Sequence, residues 1–156
     1  MAEHKCVNII LIETSTSLCS VALSQDGIIK SYRESSQTKA HASLTAPFVK
    51  EVLDECGLSI RECDAVCVSS GPGSYTGLRV GVSTAKGLCF GAGIPLLAVS
   101  TMDVLAEMGK DIECRFIVPM IDARRMEVYS AVYANSPAGR PHQISPTEPI
   151  MVGDHS

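Results

Sequence analysis

The stretch Ala65-Val66-Cys67-Val68-Ser69-Ser70-Gly71-Pro72-Gly73-Ser74-Tyr75-Thr76-Gly77-Leu78-Arg79-Val80-Gly81 decides the fold class. Residues 65–69 read as a short buried strand, residues 71–76 as a glycine-rich turn, and a helix runs on from 77 to 92. A buried strand feeding a helix through a tight turn is half of a βα layer, so helices are expected to cover a sheet. Toward the N-terminus, Cys6 to Ile12 is a continuous β-rich run that ends in Glu13 and the polar cluster Thr14-Ser15-Thr16-Ser17. Leu18 to Leu23 and Ile28 to Arg33 flank Asp26-Gly27, a strong hairpin signal. Leu44, Phe48, Val52, Leu53 and Cys56 recur at helical spacing up to Gly57, predicting a first helix over 41–56. Pro47 requires either that this helix starts near Thr45 or that it kinks.

Toward the C-terminus, Pro95 to Val99 reads as a strand and Thr101 to Met108 as a helix capped by Ser100. Phe116 to Ile121 and Glu127 to Tyr133 form a strand pair joined by Asp122-Ala123-Arg124-Arg125. From Asn135 the chain holds Pro137, Pro141, Pro146 and Pro149 and no helical period, the pattern of loop or of an interrupted second lobe. The order β-β-β-α-β-α-β-α predicts an α/β mixed sheet flanked by helices. The reading gives a first lobe over 1–109 and the start of a second, apparently truncated, over 110–156.

At 156 residues the chain suits one ordinary domain, and 46% hydrophobic with 19% charged residues is a globular balance. The formal net charge of −4 has the wrong sign for gripping nucleic acid alone. Any polyanion is expected to be held through another subunit. Seven cysteines without a charged-then-apolar leader point to a reducing cytoplasmic compartment. All seven read as small buried hydrophobes. No apolar run reaches the length of a membrane span.

The residues with chemistry are few. Gly71, Gly73, Ser74 and Thr76 sit where helix amides and the helix dipole favour an anion, so a phosphate is the functional reading. The loop lacks the Lys-Ser/Thr ending of a P-loop and the G-x-G-x-x-G spacing, and a structural tight turn fits as well. Glu13 at a strand end suits a metal or water near phosphates, or a turn residue. His41 opens a helix, and His4, His142 and His155 share no ligand spacing with it. No G-x-S-x-G elbow is present. On pattern alone, Asp122 and Arg124 are hairpin residues.

Wound at about 100° per residue, Gly77, Gly81, Thr84, Ala85, Leu88, Gly91 and Ala92 share one face of the second helix, beside an apolar stripe of Leu78, Val82 and Cys89. An interior glycine costs roughly 0.5–1 kcal/mol against alanine. Gly81 and Gly87 therefore require compensation, most simply a backbone packed closely on another helix, within the chain or on another one.

Three stretches together resemble one family. Ile9-Ile10-Leu11-Ile12-Glu13-Thr14-Ser15-Thr16, then residues 70–81 continuing to Ala85-Lys86-Gly87-Leu88, then Ile121-Asp122-Ala123-Arg124 before Glu127-Val128-Tyr129, are similar to the TsaB family, also called YeaZ. The middle stretch is highly specific, and the set spans residues 9–129. The resemblance implies an actin-like/hexokinase-like ATPase fold built of ribonuclease-H-like lobes. It implies a non-catalytic partner of a TsaD-like enzyme that places threonylcarbamoyl on the adenosine beside the anticodon of tRNA, with a TsaE-like ATPase assisting. By that resemblance the chain carries no cofactor of its own, and ATP and a metal belong to the partner enzyme. The resemblance also implies that the chain can pair with itself when alone, and that tRNA is reached only through the complex.

TsaD resembles this chain through the glycine loop and second helix, then carries two metal-binding histidines four residues apart. Thr101 and Leu105 stand at the matching positions here, and neither ligates iron or zinc as histidine does. The interface implied is the first two helices, with Gly77, Gly81, Thr84, Ala85 and Leu88 on it. The alternatives are a small-molecule kinase or ATPase, or a glycoprotease-like metallopeptidase, of the same superfold.

Overall fold

The computed structural model describes residues 4–37 and 39–153. His155 lies outside the described residues. Eleven strands and three α-helices are assigned among them: β1 (Asn8–Glu13), β2 (Cys19–Gln25), β3 (Ile28–Ser35), α1 (Ala40–Glu55), β4 (Ala65–Ser69), α2 (Tyr75–Ala92), β5 (Leu96–Val99), α3 (Thr101–Met108), β6 (Phe116–Ile117), β7 (Met120–Arg124), β8 (Glu127–Ser130), β9 (Tyr133–Ala134), β10 (His142–Gln143) and β11 (Glu148–Met151). A 3-10 turn, Ile60–Glu62, precedes β4.

The chain divides into two compact units, residues 1–70 with 74–98, and residues 71–73 with 99–156. The first holds a five-stranded sheet in the order β3-β2-β1-β4-β5. β1 runs antiparallel to β2 and parallel to β4, and β2 runs antiparallel to β3. Such a mixed sheet follows from the connections: Asp26 and Gly27, both at positive φ, close a two-residue hairpin, while the β1-to-β4 crossover carries α1. Ile10 faces Leu23 and Ile12 faces Val21 across the ladder. With Val66 and Val68 these bury against Phe48, Val49, Val52 and Leu53 of α1 and against Ala85 and Cys89 of α2.

The helix α1 runs unbroken through Pro47, so it does not begin at Thr45. Pro47 and Ser43, whose carbonyl loses its helical partner to the proline, are both exposed residues. Ser100 caps α3 as read, its hydroxyl accepting from the Met102 amide at 3.2 Å.

In the second unit, Met102 and Ala106 of α3 bury against Ala131 and Tyr133, with Leu105, Ile117, Ile121 and Tyr129 beside them. This apolar contact groups α3 with the second unit, whereas the sequence boundary at residue 109 leaves it in the first. Two three-stranded sheets complete the unit, β10-β9-β6 and β11-β8-β7. The proline-bearing tail thus contributes two strands. Pro149 lies on the edge strand β11, where a missing amide costs no ladder bond. All seven cysteines are free, and Cys114 is exposed, unlike the buried position read for it. No helix among the described residues is long and apolar enough to cross a membrane.

Candidate functional site

The end of β1 is tied to the end of β4 through one carboxylate. Glu13 Oε1 accepts from the Ser15 amide at 2.8 Å and from the Ser15 hydroxyl, and Oε2 accepts from the Ser69 hydroxyl. The parallel register between β1 and β4 brings the ends of the two strands together, so Ser69 sits beside the carboxylate. Ser15 also holds the next element, since its carbonyl accepts from the Ser74 amide at 2.6 Å. Ser74 caps α2: its hydroxyl accepts from the Gly77 amide at 3.3 Å and its carbonyl from the Leu78 amide at 2.8 Å.

The predicted phosphate residues fall in both units. Glu13 and Ser74 are joined through Ser15, Thr76 is exposed, and Gly71 and Gly73 are grouped with the second unit, where the Gly71 carbonyl accepts from the Thr101 amide at 3.0 Å. The Ser74 and Gly77 amides are engaged inside the protein, and both Glu13 oxygens accept hydrogen bonds. A cation at Glu13 would share the carboxylate with the Ser15 and Ser69 hydroxyls.

The glycines of α2 divide into two kinds. A Cβ on Gly77 would lie 2.1 Å from the Thr14 carbonyl oxygen, and one on Gly81 would lie 2.1 Å from Thr14 Oγ1. Gly77, Gly81 and Ala85 are buried, so the ridge read as a partner face packs within the first unit. Thr84 and Leu88 on the same ridge are half-buried. What compensates Gly81 is the turn after β1, where a Thr side chain fills the place a Cβ would take, and not another helix. Around Gly87 and Gly91 a Cβ would meet nothing within 4 Å. His41 braces the same turn, its Nε2 donating to the Thr16 carbonyl at 2.8 Å.

The open side of α2 carries Tyr75, Thr76, Arg79, Ser83, Lys86, Gly87 and Phe90. Phe90 is 93% exposed and Tyr75 75%. Between α1 and α2 runs a groove of about 420 Å3 lined by Ala42, Thr76, Arg79, Val80, Ser83 and Thr84. The sequence reading weighed the small residues of this helix and passed over its aromatic and cationic ones. The available signal was the recurrence of Tyr75, Arg79, Ser83, Lys86 and Phe90 along one side of the helix.

In the second unit Asp122 and Arg124 lie in β7 and not in the turn read for them, which is Arg125-Met126, and the Arg124 amide donates to Asp122 Oδ1 at 2.8 Å. Arg124, Arg125 and Met126 all have positive φ. Tyr133 donates its hydroxyl to Asp103 Oδ1 at 2.5 Å, and burial, reinforced by that carboxylate, pushes its pKa well up. Thr101 and Leu105 lie one turn apart on α3. Thr101 is buried, and Leu105 packs with the apolar cluster of that unit.

Comparison with known proteins places these observations. A family model described as TsaD: tRNA N6-adenosine threonylcarbamoyltransferase matches residues 21–140. The tRNA threonylcarbamoyladenosine biosynthesis protein TsaB of Bacillus subtilis is 32% identical over 148 residues, 95% of this chain and 64% of that protein. TsaB of Escherichia coli is 36% identical over 135 residues, 85% of this chain and 58% of its own length. The solved structure of YeaZ from Pseudomonas aeruginosa superposes with a TM-score of 0.84 at 29% identity, covering 96% of this chain and 70% of that one. The fold is thus a mixed α/β arrangement, a five-stranded sheet flanked by helices, of the class that YeaZ shares. Within that class the chain belongs to the TsaB (YeaZ) family. It spans 52–64% of the length of the first three curated relatives it matches.

Proposed function

We propose that this chain is a non-catalytic partner subunit that binds and activates a TsaD-like enzyme in threonylcarbamoyl transfer to the adenosine beside the anticodon of tRNA, with a TsaE-like ATPase assisting. The observation that carries the reading is the membership of the TsaB family, and the resemblance adds that Thr101 and Leu105 stand where the catalytic relative carries its metal-binding histidines. Neither side chain supplies a metal ligand of that kind. ATP and the metal then belong to the partner enzyme, and tRNA is reached only through the complex.

The partner surface we assign is the open side of α2 with the adjoining part of α1. Gly77, Gly81 and Ala85 support it from beneath and take no part in contact. Gly87 and Gly91 have space above them, so another backbone can approach closely there. The test is reconstitution of threonylcarbamoyl transfer with purified TsaD-like and TsaE-like subunits, with and without this chain. Modification that requires the chain, and a chain inert by itself, is the expected result. An equal rate without it overturns the proposal.

A further inference from the structure

We infer that the outer edge of β3 pairs with β3 of a second copy of this chain, antiparallel about Tyr32, joining two five-stranded sheets into one. β3 is the longest strand among the described residues, and there it pairs only with β2. A long edge with free backbone donors and acceptors is a template for another strand unless something blunts it. Here the guard covers one end. Leu23 faces Ser31 and Ser24 faces Ile29, so Lys30 is the extra residue of a bulge, and the regular part of β3 runs over residues 30–35. α2 packs on β4 and β1, so its open side takes no part in this contact.

The two faces of this segment differ. Ser31 and Arg33 turn toward α1, where Ser31 donates to Glu55 at 2.7 Å and Arg33 pairs with Glu51 and Glu55. Lys30, Tyr32 and Glu34 share the opposite face, and all three are exposed. Among the described residues neither Lys30 nor Glu34 is in an ion pair. Asp26 feels the Lys30 charge but is bonded to the Val7 amide at 2.8 Å. Four residues apart on one strand, Lys30 and Glu34 stand about 13 Å from each other and do not meet. The Tyr32 hydroxyl donates to Glu34 and leans the ring along the strand between them.

A second copy supplies what each charge lacks. In a two-fold antiparallel pair one residue faces itself on the axis, and residues equally far to either side face one another. Centres at Lys30, Arg33 or Glu34 set like charge against like. A centre at Ser31 sets Lys30 against Tyr32 and gives no charge pair. The centre at Tyr32 puts Lys30 of each copy opposite Glu34 of the other, with the two tyrosine rings side by side between these pairs. Opposite charges and aromatic pairs are the cross-strand neighbours that stabilise antiparallel strands, and like charges are those that reject a register.

The experiment reads register and charge separately on the purified chain. Tyr32→Cys is made together with Cys114→Ser, which removes the exposed native thiol, and the chain is oxidised and its cross-linked peptides identified by mass spectrometry. In the proposed register the two substituted positions have Cα atoms about 4.5–5.5 Å apart, within reach of a disulfide, whereas a centre one residue away moves them to about 8 Å, out of reach. The expected product is a dimer bridged between the two positions 32. Lys30→Cys should give no such dimer alone and one when mixed with Glu34→Cys. By sedimentation, a mixture of Lys30→Glu and Glu34→Lys should associate roughly ten-fold or more tightly than either variant alone, because like charges face each other in each variant and opposite charges in the mixture. Thermal unfolding unchanged in each variant shows that pairing and not misfolding is being read. No bridge at position 32 overturns the proposal, whatever association persists through another face, and so does a mixture no tighter than its parts. A chain that stays monomeric at every concentration also overturns it and leaves the edge to a different extended segment.

Discussion

Cys63 shows how one buried side chain writes a pH dependence into the fold. Its thiol, beside Asp64 and Glu62 and only 3% exposed, is pushed from 9.0 up to about 11, chiefly by burial and then by those carboxylates. Because the folded chain holds this proton more tightly than the unfolded one, the contribution is complete below pH 9 and is lost as pH rises through about 11. Burial raises Cys89 and Cys67 too, the latter with help from Glu13, so their contributions have the same sign. Urea unfolding should therefore show little change in stability between neutral pH and pH 9 and a fall above it, with roughly 2 kcal/mol of the fall traceable to Cys63. Cys63→Ala should flatten that alkaline slope; an unchanged slope would mean the thiol does not keep its proton in the fold. Glu13 teaches a complementary lesson about legibility. A carboxylate at a strand end was visible in the sequence, but its role depends on Ser69, fifty-six positions away and brought beside it only by the parallel pairing of β1 with β4. No local pattern carries that.

Among the elements, α2 is where sequence and structure part most usefully. Spacing alone placed the strands and helices of the first unit within a few residues, because β1 and α1 each bury one apolar set whose period survives in the sequence and β4 is a short continuous buried run. It could not say which side of α2 is covered, since a glycine ridge suits an internal neighbour and an external one equally. The distances decide it, and they make a paired prediction. Gly81→Ala puts a methyl group into the space held by Thr14 Oγ1 and should cost about 1–3 kcal/mol of stability, an overpacking penalty in a turn already pinned by Ser15 and His41. Gly87→Ala meets nothing within 4 Å and should raise stability by roughly 0.5–1 kcal/mol through helix propensity. Gly87→Leu should leave the monomer folded while weakening its association with the partner enzyme. Thermal unfolding measured beside binding separates the three; a Gly81→Ala chain as stable as the original would show that the turn after β1 yields freely, and the clamp would be no clamp.

At the scale of the whole molecule, the second unit was the less legible part. Its strands β6, β9 and β10 are two residues long, too short for any period, and its core is assembled around Tyr133 from residues spread between 102 and 133. Charge, by contrast, was readable from composition and bears directly on tRNA. Binding to a phosphate backbone is driven by counterion release, roughly one step of salt dependence for each phosphate neutralised. The net charge is −4, aromatic residues are 4% of the chain, and α2 offers only two cations, so neither a basic track nor a set of stacking platforms is available. Two cations support a salt slope of at most about 2, far from the many contacts behind tight nucleic-acid binding. Titrated into labelled tRNA at about 0.15 M salt, the chain alone should leave fluorescence anisotropy unchanged up to micromolar protein. A saturable rise with a salt slope well above 2 would mean that the molecule presents a basic surface these residues do not form, and tRNA would then be a direct ligand of this chain.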